Sequence, residues 1–183
     1  RHIYLSSIFA IATAGCSSEA PGRGVIVDPL LYSAAYHLGL EEQENRQELK
    51  RVLGVDPVNT EWCAAFVNAI LSLNDIPGSE SVSDYPLTAR SFMKWGVAVD
   101  TPQVGDIVVF PRGNSSWQGH VGFFVKPYRY QGIDYYLILG GNQDNSVSYD
   151  FYPASKAIAI DADPWSQAEE SNLTTAATRE PSR

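Results

Sequence analysis

The apolar residues of this chain change period once, at Gly96, and that change constrains the fold more than any composition figure. Before it they recur at helical spacing. Asp28 can cap a helix whose first position suits Pro29, with Leu31, Ala35 and Leu38 as its buried stripe and Gly39 as its end. Residues 41–53 read as a charged helix. Glu42 and Arg46, then Arg46 and Lys50, stand four apart, while Leu49, Val52 and Leu53 form a narrow apolar edge. Residues 60–71 and 86–94 give two more helical patterns, the second ended by Gly96, with Trp95 read as core or as an aromatic beside a groove. After Gly96 the runs are short and apolar or alternating: 107–110, 119–125, 135–139, 147–151 and 157–160, separated by turn residues. Helices first and strands afterwards mean α+β, with N-terminal helices packed on an antiparallel sheet. A chain of 183 residues, 44% of them hydrophobic, can bury the core of one such domain.

The chemistry in this pattern lies in the third helix. Thr60 is expected to cap it, which makes Cys63 the third residue of its first turn, and Phe66, Val67, Ile70 and Leu71 continue as the buried stripe. Unpaired N–H groups and the positive end of the helix dipole lie there, and both favour a thiolate. A lone Cys is more often a small core residue, so a nucleophile needs a base elsewhere in the chain. Of the three histidines, His2 falls in a segment read below as removed, and His37 ends the first helix, where an imidazole is comfortable for structural reasons. His120 opens a strand-like run between Gly119 and Gly122. If its side chain points to one sheet face, Gly122 and Phe124 share that face and Val121, Phe123 and Val125 take the other. The glycines then leave space around the imidazole. Asn142, after the Gly140-Gly141 bend, can hold that imidazole by its side-chain oxygen, which completes a Cys63, His120, Asn142 set.

Five blocks in order carry a resemblance: Trp62-Cys63-Ala64-Ala65-Phe66-Val67-Asn68, then Ala89-Arg90-Ser91-Phe92 with Trp95-Gly96, Gly105-Asp106-Ile107-Val108-Val109-Phe110, Gly119-His120-Val121-Gly122-Phe123, and Leu139-Gly140-Gly141-Asn142-Gln143. Together they resemble the CHAP domains, the cysteine- and histidine-dependent amidohydrolases and peptidases of bacterial and phage cell-wall hydrolases, with NlpC-type peptidases as distant relatives. The resemblance runs from about residue 28 to residue 160. It implies a papain-like fold, peptidoglycan as substrate, and Cys63 and His120 as the catalytic pair. Relatives often carry an acidic residue two positions before the Asn, where this chain has Gly140. That departure leaves Gln143 and Asp144 as alternatives to Asn142 for orienting His120, and leaves open that the segment is only a turn.

The N-terminus reads as an export signal. Arg1 precedes the apolar run 3–12, and small residues lead to Cys16. The run is too short for a stable membrane span. Cleavage after Ala14 would give a secreted protein; cleavage before Cys16 would give a lipoprotein with the lipid on Cys16, and the latter is favoured. The expected organisation is therefore a signal peptide over 1–15, a tether over 16–27, the catalytic domain over 28–163 and a polar, disordered tail over 164–183. A formal net charge of −8 with no basic cluster excludes a nucleic-acid footprint. A zinc site would need three or four convergent ligands, and Cys63, His37 and His120 lack paired spacing, so no metal or cofactor is expected. The sequence thus predicts an exported, monomeric hydrolase of a cell-wall amide bond, either amidase or stem-peptide endopeptidase. The alternatives are a wall-binding lipoprotein without turnover and an antibacterial effector that attacks a rival's wall.

Overall fold

A computed structural model describes residues 28–164, so the signal peptide, Cys16 and the tail over 165–183 lie outside the described residues. Three α-helices, α1 (Pro29–Ala35), α2 (Arg46–Leu53) and α3 (Cys63–Leu73), precede a six-stranded sheet. Its strands are β1 (Val97–Ala98), β2 (Ile107–Pro111), β3 (Gly119–Tyr130), β4 (Ile133–Gln143), β5 (Ser146–Pro153) and β6 (Ala159–Ala162). They lie in the order β1-β6-β2-β3-β4-β5, and the neighbouring pairs are antiparallel. The architecture is α+β, as the change of period predicts.

Several boundaries differ from the sequence reading, each for a packing reason. Asp28 does cap α1, its carboxylate accepting from the Leu31 N–H at 2.8 Å, with Pro29 at the first position. α1 buries Leu30 and Ala34 fully and packs Leu31 and Ala35, partly buried, against the same core, while Leu38 is exposed. The charged helix starts at Arg46 rather than 41, because residues 41–45 form a turn tied to β5 by a bridge between Glu41 and Ser146. Residues 89–94 form a 3-10 helix instead of an α-helix, leading to Trp95, which is buried and donates from Nε1 to the Pro77 carbonyl at 2.8 Å. The strands run longer than their apolar cores, since β3 and β4 continue into a hairpin whose outer residues are exposed.

Alternation divides the sheet. Ile107, Val109, Val121, Phe123 and Leu139 face the helices and join Trp62, Phe66, Val67, Ile70 and Leu71 in the main core. Val108, Phe110, Phe124 and Ile138 form a smaller cluster on the opposite face. α3 is buried along most of its length and packs on β3 and β4, so its N-terminus meets the sheet where His120 begins its strand.

Candidate active site

Cys63 is the first residue of α3, not the third. Trp62 takes the N-cap position without a side-chain cap, and Thr60 is extended two residues earlier. Burial of Trp62 is the reason. Its indole is inaccessible, packs edge-on against Phe66 and donates to Glu42 Oε2 at 3.3 Å, which draws the chain inward before the helix can start. Cys63 therefore sits at the helix start, only 3% exposed as a residue and free of any disulfide. Burial pushes the thiol up from its ordinary value. The backbone N–H groups of Val121 and Ala64 and the charge of Arg112 act the other way, and desolvation outweighs them. The helix start alone does not produce a resting thiolate.

The N–H on the Cys63 sulfur belongs to the His120–Val121 peptide bond. It is available because pairing between β3 and β4 stops at Phe123↔Leu139. His120 itself is 2% exposed, and its ring stacks on Tyr152 at 5.0 Å with an interplanar angle of 11°. Tyr152 in turn stacks on Phe110, the cross-strand partner of His120. Enclosure on all sides makes the charged ring expensive and lowers the His120 pKa to about 4.

One hydrogen bond fixes this ring. His120 Nε2 lies 3.0 Å from Gln143 Oε1, while the Gln143 amide N–H donates to the Ser148 carbonyl. A carbonyl accepts only from the nitrogen end of an amide, so the oxygen end faces His120 and Nε2 must carry the proton. Nδ1 is then a bare lone pair, and among the described residues it has no hydrogen-bond partner. Asn142, expected to orient His120, makes a different bond in the structure: its amide donates to Glu61 Oε2 at 2.9 Å. The cause is an irregularity in β4–β5 pairing between Gly140 and Gln143, where Asn142 takes a positive φ of 57°. The turn aims residue 142 at Glu61 and returns residue 143 to the imidazole.

The space around the ring also has a different owner. A Cβ on Gly122 would strike Ile138 and one on Gly119 would strike the Phe110 carbonyl, so both serve strand packing. A Cβ on Gly140 would stand 3.2 Å from His120 Nε2 and 3.3 Å from Gln143 Oε1. Gly140 is therefore the position that admits the Gln143 amide. His37 takes no part; it is buried edge-on against Phe66 and Tyr36.

Sequence reasoning missed Arg112, Glu61 and Tyr152. Arg112 Nη1 donates to Glu61 Oε2 at 2.8 Å, and its charge acts on Cys63, His120 and Tyr152 together. Glu61 and Arg112 are 51 residues apart, and no spacing rule links them. Among the described residues no three or more His, Cys, Asp or Glu lie together as metal ligands.

No curated protein matches the chain. The family model of the CHAP domain matches residues 55–142, a window that holds Cys63, Arg112, His120 and Gly140 and ends one residue before Gln143. Over residues 55–142, just under half of the chain, the sequence is similar to the CHAP domain family.

Proposed function

We propose that this protein is a cysteine hydrolase of peptidoglycan, with Cys63 as nucleophile and His120 as base in a papain-like arrangement. Similarity to the CHAP family implies a hydrolase of the amidase or peptidase kind. The observation that carries the finer reading is the tautomer of His120, whose Nδ1 lone pair is buried and unpartnered among the described residues, in the residue just before Val121, whose N–H meets the Cys63 sulfur.

A raised thiol and a lowered imidazole make the resting pair neutral. Cys63 then gives its proton to His120 Nδ1 as the sulfur attacks the amide carbon. The oxyanion forms beside the backbone N–H of Cys63 at the helix start. The C–N bond breaks as the imidazolium protonates the departing amine. Water, deprotonated by His120, cleaves the thioester and restores the thiol. The Gln143 oxygen accepts from Nε2–H throughout, so the ring keeps its orientation while its charge changes.

Mass spectrometry of fragments released from purified peptidoglycan tests the reading and identifies the bond. Cys63→Ala and His120→Ala, each folded by circular dichroism, should lose at least about a thousandfold in rate, with non-additive effects. The acid limb of kcat/KM should lie near pH 4, where His120 protonates, not near the ordinary imidazole value. Normal lysis by folded Cys63→Ala would end this assignment.

Export and anchoring belong to the same proposal and rest on residues 1–16 of the sequence. A fatty-acid analogue should label the protein through Cys16, and Cys16→Ser should abolish the label; unchanged labelling would remove the lipoprotein reading.

A further inference from the structure

Two side-chain donors converge on one oxygen at the edge of this site. Arg112 Nη1 lies 2.8 Å and Asn142 Nδ2 lies 2.9 Å from the same atom, Glu61 Oε2. The donors and the acceptor are held differently. Arg112 follows β2 on a loop that Arg90 ties down, through Nε to the Gln118 carbonyl at 3.0 Å and Nη2 to the Ser115 carbonyl at 3.3 Å. Asn142 stands in the fixed turn at the end of β4. Glu61, by contrast, lies on the lead-in to α3 with a side chain 76% exposed.

An ion pair this exposed adds little to folding stability, because water screens it and two flexible side chains must be ordered to form it. Another carboxylate can therefore replace Glu61 at small cost. The position matters chemically: Glu61 stands two residues before Cys63, Asn142 adjoins the Gln143 that bonds His120, and the Arg112 charge acts on both Cys63 and His120, so an anion held there would lie close to an amide attacked by Cys63. Two N–H donors aimed at one oxygen select an anionic oxygen and reject an ammonium, which would face the guanidinium.

We propose that Arg112 Nη1 and Asn142 Nδ2 form a subsite for a substrate carboxylate next to the scissile amide, a place that Glu61 Oε2 holds in the structure. This rests on the hydrolase reading and narrows its substrate to peptides that carry a free carboxylate beside the cleaved bond. A walled-off ion pair with no role in binding would make no such distinction.

The test compares purified peptidoglycan with the same material after its peptide carboxylates are converted to primary amides by carbodiimide and ammonia. Wild type should release fragments from the untreated wall about ten- to a hundredfold faster at subsaturating substrate, the difference that one charge-assisted pair supplies. In Arg112→Gln that preference should collapse towards one, and in Glu61→Gln, where the competing carboxylate is gone, it should widen. Arg129→Gln, which removes an exposed cation paired with Asp134 on the outer hairpin, should keep the wild-type preference and so controls for net charge. An unchanged preference in both Arg112→Gln and Glu61→Gln would overturn the subsite while leaving the hydrolase intact. Failure of wild type on both walls would instead overturn the hydrolase reading.

Discussion

His120 and Asp161 are both buried, each has one side-chain atom without a hydrogen-bond partner among the described residues, and each is driven towards its neutral form. They lie on β3 and β6, separated in the sheet by β2. Burial lowers His120 to about 4, so at neutral pH its bare Nδ1 is an uncharged acceptor. Burial and the neighbouring Asp106 raise Asp161 to about 6, so at neutral pH its unpartnered Oδ2 carries charge away from water. One desolvation effect thus leaves an uncharged lone pair in the first place and costs stability in the second. The difference lies in the sign of the group and in Gln143, which satisfies the other nitrogen of His120.

The sharpest way to break this comparison is to remove Gln143. Gln143→Ala should lower kcat by roughly ten- to a thousandfold, about 1.4 to 4 kcal/mol in the barrier, with KM little changed, because the ring loses its orientation while the nucleophile stays. Gln143→Glu should retain more activity than Ala and move the acid limb upward, since a carboxylate stabilises the imidazolium. Asn142→Ala should cost less in kcat and appear in KM, because its amide meets Glu61 and not the imidazole. If Asn142→Ala moves the acid limb and Gln143→Glu does not, the orienting residue is Asn142.

A smaller effect tests the other side. His120 is held neutral, so its contribution to stability is complete above about 6.5 and is lost as pH falls towards 4. Asp161 runs oppositely: its contribution is complete below the ordinary carboxylate value of 3.8 and is lost as pH rises through about 6. The two slopes oppose each other over nearly the same window and largely cancel. Asp161→Asn should stabilise the protein at pH 7.5 by about 1–2 kcal/mol in urea unfolding and give little gain at pH 4. It should also expose a steeper loss of stability between pH 6.5 and 4. A gain of equal size at both pH values would show that packing, and not ionisation, governs the position.

The parts of this molecule that were readable from residues are those governed by period and local chemistry. The change at Gly96 foretold helices followed by an antiparallel sheet, and alternation placed Gly122 and Phe124 on one face with Val121 and Phe123 on the other, as the two clusters confirm. The Asp28 cap followed from the same kind of rule. Thr60 failed as a cap because the demand of Trp62 for burial came from Glu42 and Phe66, neither of them in the local pattern. Tyr152, the ring that covers His120, stands one residue beyond the apolar run that ends at Phe151, so period alone does not reach it.

By itself, the sequence determined where a thiol stands at a helix start, which strand carries the imidazole, and that Gly140 leaves no side chain where relatives often have an acid. It could not determine which of Asn142 and Gln143 reaches His120, because strand alternation assigns faces only while pairing stays in register. Between Gly140 and Gln143 the register shifts, and the positive φ of Asn142 reverses the two destinations. The protonation of the pair was likewise a tertiary decision. A helix terminus favours a thiolate over about one turn, but how deeply Cys63 and His120 are enclosed depends on β3, Tyr152 and Phe110 meeting around them, and that enclosure sets the larger energy.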